Sequence, residues 1–259
     1  MNGVALVVRG LVRHFGGVKA VDGVDFEVMP GECVALIGPN GAGKSTCFAC
    51  IAGQQRPTSG QVLWEGVSLL GWSPRERLQR GVARSFQVAQ VFEALTVRHN
   101  VQLALQVREG HWPAWRPLGR RHQPEADALL AQADLGALAD QEAASLPYGA
   151  KKRLELALAL AGQPRLLLLD EPAAGLAGQE RQALMQWVRK LADGGLTVLY
   201  TEHNMDAVAG TADRVLVLIE GRLAAQGRFE DIARDPVVQA RYLGQTGLDF
   251  LRAGKVGHA

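Results

Sequence analysis

Gly38-Pro39-Asn40-Gly41-Ala42-Gly43-Lys44-Ser45 follows directly on the apolar run Cys33-Val34-Ala35-Leu36-Ile37. A chain carrying G-x-x-x-x-G-K-S in that position must end a buried strand, turn tightly around an anion and start a helix at Lys44-Ser45-Thr46. Glycines are needed because several successive amides have to point inward, and a Cβ there would crowd the bound oxygens. The helix N-terminus adds unpaired N–H groups and a partial positive charge. The pattern is therefore read as a phosphate-binding loop, with the Gly41–Thr46 amides on the phosphates. Lys44 then reaches the β- and γ-phosphates and the Ser45 hydroxyl takes one position on Mg²⁺.

The 259 residues suffice for one large α/β domain or two small ones, and 47% apolar with 21% charged residues is an ordinary globular balance. A net charge of +2 gives no reason to expect nucleic acid as a partner. No apolar stretch reaches the roughly 18 residues of a spanning helix. Met1-Asn2-Gly3-Val4 lacks the basic start and apolar run of a signal peptide. The expectation is a cytoplasmic chain whose membrane contact comes through partners. Cys33, Cys47 and Cys50 form no disulfide framework. Although Cys47-Phe48-Ala49-Cys50 matches C-x-x-C, these positions fall on the helix after the loop. They are read as small core residues rather than a redox pair or zinc ligands.

Short apolar runs bounded by turn residues predict strands at 5–8, 24–28, 32–37, 60–64 and 82–86, with turns at Asp22-Gly23 and Pro30-Gly31. From Leu95 to about Leu160 the pattern is helical and broken once, over 108–124. That loop holds Trp112, Trp115, Arg116, Arg120 and Arg121, a composition suited to a solvated loop or to contact with a permease or lipid head groups. The α/β rhythm returns with a four-leucine strand at 165–170, a helix at 179–191 and strands at 197–201, 215–220 and 222–225. Helix follows at 229–233 and 237–243, and the tail after Gly244 is Gly-rich.

Chemistry gathers where strands end. Asp170-Glu171 closes the leucine strand; beside a phosphate loop, Asp170 can hold Mg²⁺ through its water shell and Glu171 can polarise an attacking water. Gln87 follows a strand and opens the helical stretch, where it can touch Mg²⁺ and the γ-phosphate and report nucleotide state. His203 follows the strand 197–201; a neutral imidazole there can bond the γ-phosphate and hold Glu171 and water in register. Phe15 offers an aromatic face for a base.

These five pieces, in this order, resemble the ATP-binding cassette (ABC) ATPases of membrane transport, from Val4 to about Gly244. Leu146-Pro147-Tyr148-Gly149-Ala150-Lys151 stands where that family has a Leu-Ser-Gly-Gly-Gln signature gripping the nucleotide held by the opposite subunit. The Tyr-Gly variant is similar to the larger ATPase subunit of branched-chain amino acid importers. Arg84-Ser85-Phe86-Gln87, Leu95-Thr96-Val97 with Asn100, Asp170-Glu171-Pro172-Ala173-Ala174-Gly175-Leu176 and Tyr242-Leu243-Gly244 agree with it. Urea-importer ATPases share many of these features; lipopolysaccharide-extracting ATPases keep an unmodified Ser-Gly-Gly. The departures are Pro147 for the serine, Tyr148 for the first glycine, Lys151 for glutamine, and Ala177 where Asn or Asp contacts the opposite site.

The resemblance implies an α/β P-loop NTPase (RecA-like) nucleotide-binding domain with an antiparallel β-subdomain and an inserted α-helical subdomain. It implies one domain over 1–246, with its core at 1–87 and 163–246, helical subdomain at 88–162, and tail at 247–259. Implied cofactors are ATP and Mg²⁺, the latter on Ser45, Gln87 and Asp170. Gly38, Pro39, Asn40, Gly41, Ala42, Gly43, Lys44, Ser45, Thr46 and Phe15 would bind nucleotide, with Tyr148 and Gly149 lent across a dimer. Glu171, His203 and Gln87 would be catalytic. Implied partners are a second ATPase subunit, two permease chains and, indirectly, a periplasmic binding protein, at the cytoplasmic face of a bacterial inner membrane. A nucleotide-binding regulatory half with little hydrolysis is the reading from a different class.

Overall fold

The computed structural model describes residues 5–85, 91–109 and 120–243. Its centre is a six-stranded sheet. Strand β3 (Cys33–Ile37) lies between β8 (Thr197–Thr201) and β9 (Arg214–Ile219), continuing outward through β7 (Leu166–Asp170) to β6 (Val82–Arg84) on one side and to β10 (Arg222–Gly227) on the other. All pairs are parallel except β9 with β10. Every residue of β3 and β8 is buried, which is why β3 reads as an unbroken apolar run and β8 as apolar residues between two threonines.

The two faces of this sheet feed different cores. Cys33, Ala35, Ile37, Leu167, Leu169, Val198 and Tyr200 point into one, against α5 (Tyr148–Ala161) and α6 (Gly178–Asp193). Val34, Leu36, Leu166, Leu168 and Leu199 point into the other, against α1 (Lys44–Ile51) and a second, antiparallel sheet. Full burial of one such leucine is worth about 1.5–3 kcal/mol. The second sheet has the order β2-β1-β4-β5, from β1 (Leu6–Phe15), β2 (Val18–Val28), β4 (Ser59–Trp64) and β5 (Val67–Ser68). A third core joins α3 (Val97–Glu109), α4 (Gln123–Gln132) and α5 through Val101, Leu105, Leu130, Leu154 and Ala157.

Several expectations need correction. Asp22-Gly23 is not a turn: β2 runs through it, with Gly23 at φ +74° inside a register shift opposite Leu11 and Val12. The hairpin reverses at Gly16-Gly17 instead. The helical stretch is broken more than once, because 133–147 holds only the 3-10 turns Gly136–Leu138 and Ala143–Ser145. At the expected loop, α3 runs to Glu109 and α4 starts at Gln123; Trp112, Trp115 and Arg116 lie outside the described residues. Two helices were not foreseen: α2 (Pro74–Gln79), opened by a Ser73–Glu76 capping box, and α7 (Met205–Ala209), capped by Asn204. Two short helices, α8 (Phe229–Ile232) and α9 (Pro236–Val238), follow β10.

The three cysteines are free and buried, Cys33 in one core and Cys47 and Cys50 in the other. Burial pushes the Cys33 and Cys47 thiols up to about 12, which fits core packing and leaves little thiolate for redox work. Among the described residues no helix is long and apolar enough to cross a membrane.

Candidate nucleotide site

The parallel strands end on one side of the sheet, and the sequence-predicted groups gather there. After β3 the backbone passes so close to its neighbours at Gly38 and Gly43 that a side chain is excluded at those two positions. A Cβ on Gly38 would lie 2.1 Å from the Leu218 carbonyl oxygen, and one on Gly43, at φ +93°, 2.0 Å from that of Ala20. Gly43 is the N-cap of α1 without a side-chain cap, and the Cys47 amide donates to its carbonyl at 2.8 Å. The Ala42 amide donates to the Pro39 carbonyl at 3.2 Å, and the amides of Lys44, Ser45 and Thr46, in the first turn of the helix, are the ones placed to meet an anion. Asn40, Gly41 and Ser45 are exposed, Pro39 and Thr46 half-buried, Ala42 buried.

Lys44 is buried, its Nζ donating to the carbonyls of Gly38 (2.7 Å) and Pro39 (3.0 Å). Its ammonium thus sits inside the loop that would receive a phosphate. Burial pulls its pKa below the usual lysine range, and the nearby Glu171 carboxylate pushes it back. Unpaired amides at the start of α1 and a buried, converging ammonium fit a nucleotide phosphate chain. The hard oxygen donors Ser45 and Asp170 fit Mg²⁺.

At the end of β7, the Asp170 carboxylate accepts from the Thr201 hydroxyl at 2.8 Å and from the Arg84 guanidinium at 3.3 Å. Thr201 also accepts from the Glu171 amide at 3.0 Å, which fixes Glu171 at the left-handed φ of +48°. The Glu171 carboxylate lies 2.7 Å from His203 Nε2, and toward an ionised carboxylate that nitrogen is the donor. His203 is positioned by buried Glu202, whose carboxylate accepts from the amides of His203 (2.9 Å), Asn204 (3.2 Å) and Ala173 (3.2 Å). A carboxylate held this way, partly open to solvent, can accept a proton from a water.

The structure thus brings together Lys44, Asp170, Glu171 and His203. Gln87 lies outside the described residues. Phe15, at the end of β1, is 43% exposed, with the Arg13 guanidinium 4.5 Å from its ring centre. Tyr148 and Gly149 open α5; the Tyr148 hydroxyl donates to the Ala174 carbonyl at 3.3 Å, and Gly149 backs onto Glu180. Among the described residues no hydrogen bond joins Tyr148 or Gly149 to the chain's own phosphate loop. The sequence reading missed the roles of Arg84, Thr201 and Glu202. Each ends or follows an apolar strand on the ligand side, which is the signal that would have found them.

Residues 21–174 match the family model described as ABC transporter. The chain is 38% identical over 254 residues to the high-affinity branched-chain amino acid transport ATP-binding protein LivG of Escherichia coli (strain K12), covering 95% of this chain and 100% of that protein. It is 36% identical to the corresponding protein BraF of Pseudomonas aeruginosa over 255 residues, again 95% and 100%. The crystal structure of the ADP conformation of an ATP-binding cassette of an ABC transporter superposes with a TM-score of 0.84 at 31% identity, covering 93% of this chain and 99% of that one. The chain belongs to the ABC transporter family and is an ATPase of that family.

Proposed function

We propose that this chain is the ATP-hydrolysing subunit of an importer for branched-chain amino acids, working against permease subunits at the cytoplasmic face of a bacterial inner membrane. A cassette over 1–246 would pass its closing motion to the permease through its helical part, 88–162. The observation that supports hydrolysis most is the Glu171–His203 pair at 2.7 Å, held beside a buried Lys44.

Lys44 neutralises the β- and γ-phosphate oxygens while the loop amides orient them. Glu171 accepts the proton of the water that attacks the terminal phosphorus, and the bond to the ADP oxygen breaks. His203 Nε2–H keeps the Glu171 carboxylate turned toward that water. Mg²⁺, when bound, supplies Lewis acidity at the phosphate oxygens; Ser45, Asp170 and Gln87 are the residues that would hold it. Phe15 would stack on the base, and Tyr148 and Gly149 would serve the site across a head-to-tail dimer.

Glu171→Gln keeps the shape and removes the charge. The expected outcome is ATP binding within a few-fold of wild type and turnover lowered by at least two orders of magnitude, in the complex reconstituted with its permease. Turnover near wild type would overturn Glu171 as the base. A wild-type chain that binds ATP without turnover would mark it as a regulatory half.

A further inference from the structure

The carboxylate of Asp170 is already paired with a cation. Arg84 ends β6, Asp170 ends β7 and Thr201 ends β8, so the three stand on adjacent parallel strands. Strand alternation turns all three to the face that carries α1, since Val82, Leu168 and Leu199, each two residues before one of them, belong to that core. Thr201 donates to one carboxylate oxygen at 2.8 Å, Arg84 to the other at 3.3 Å. The pair is sheltered, with side chains 13% and 12% exposed. Arg84 also lies 5.6 Å from the ring centre of Phe48, on the helix that the phosphate loop starts.

We propose that Arg84 is a built-in counter-cation that sets the affinity of the nucleotide site for Mg²⁺. The inference rests on the reading of Asp170 as a metal-holding carboxylate. A guanidinium on one oxygen holds the carboxylate in place when no metal is present. It also repels a divalent cation that must share the same charge a few ångströms away, and at partly buried positions such repulsion is weakly screened. The site therefore binds metal more weakly than an unpaired aspartate would, which favours release of the metal with the products.

The test is Mn²⁺ binding in the presence of ATP, followed by electron paramagnetic resonance on the full chain, together with ATP affinity in EDTA. Arg84→Gln keeps a donor to Asp170 and drops the charge; it is expected to tighten Mn²⁺ about tenfold, while metal-free ATP affinity, which the same positive charge favours, does not rise, so the gain belongs to the metal. Arg84→Lys keeps the charge and is expected to hold the wild-type metal affinity. Unchanged or weaker Mn²⁺ binding in Arg84→Gln, or Arg84→Lys behaving like Arg84→Gln, would overturn the proposal. Asp170→Asn separates the two ideas. If it leaves Mn²⁺ binding intact, the reading of Asp170 fails; if it weakens Mn²⁺ while Arg84→Gln has no effect, only the role of Arg84 fails.

Discussion

Lys44 carries a charge into a place the fold has largely closed to water. Its two carbonyl partners and the approach of Glu171 offset part of the desolvation, yet burial still wins and the folded-state pKa lies below the ordinary 10.5. The unfolded chain keeps this proton up to 10.5, so between the lowered value and 10.5 the unfolded state binds more protons than the folded one. Stability from this group therefore rises with pH across that window, and the penalty is in full force at neutral pH. Lys44→Met removes the titration. Against urea, the unfolding free energy of the wild type should gain on that of Lys44→Met as pH is raised toward 10.5, with nucleotide absent from both. A difference that stays flat with pH would contradict the burial argument. ATP should also cease to raise the midpoint of Lys44→Met, because the phosphates lose their ammonium.

Elements are tied together by groups that serve several at once, and Arg77 of α2 is the plainest. Its guanidinium donates to the carbonyls of Ile51 at the end of α1 (2.9 Å), Leu69 after the antiparallel sheet (2.6 Å) and Trp72 (3.3 Å). Gly53 lies beneath it at φ +79°, a conformation that favours glycine, and a Cβ there would press on the guanidinium, 2.3 Å from Nη2. Arg77→Met keeps the aliphatic stem but leaves the carbonyls of Ile51 and Trp72 without this donor and Leu69 with the Trp72 amide alone (3.3 Å), at an expected loss of about 2–4 kcal/mol in unfolding free energy. A loss under about 1 kcal/mol would show that water replaces the guanidinium at that junction. This junction was invisible in the sequence, where Arg77 is one charge among several in Pro74-Arg75-Glu76-Arg77. Strands buried on both faces were legible: β8 has the bounds its apolar run predicted. The antiparallel sheet was less so, because glycines inside β1 and β2 that bend the strands look like turns. The same divide runs through the site. Lys44, Glu171 and His203 are fixed by local pattern, whereas Arg84 and Thr201 reach Asp170 only through the lateral order of strands 86 and 31 residues apart in the chain.

At the scale of the whole molecule, the proposed function would have the chain supply one half of a site and a changed version of the other. Lys44, Asp170, Glu171 and His203 are assembled on its own side. On the side proposed to serve a partner, Pro147 and Ala177 cap α5 and α6 without a side-chain hydrogen bond, and Tyr148 packs onto the loop after Glu171. Two copies of this chain would face each nucleotide with no serine hydroxyl. Loss of one charge-assisted hydrogen bond to the γ-phosphate costs about 1.5–3 kcal/mol, or roughly one to two orders of magnitude in closed-dimer population. The backbone amides of Tyr148 and Gly149 remain, so weakening rather than abolition is expected. A partner ATPase with an intact serine signature would restore the site built on Lys44 and leave the opposite one slower. Steady-state ATPase of the purified chain, alone and mixed with a candidate partner ATPase that carries an intact serine signature, decides the matter. A mixture with one fast and one slow site supports an asymmetric heterodimer; equal activity per site in the two samples refutes it.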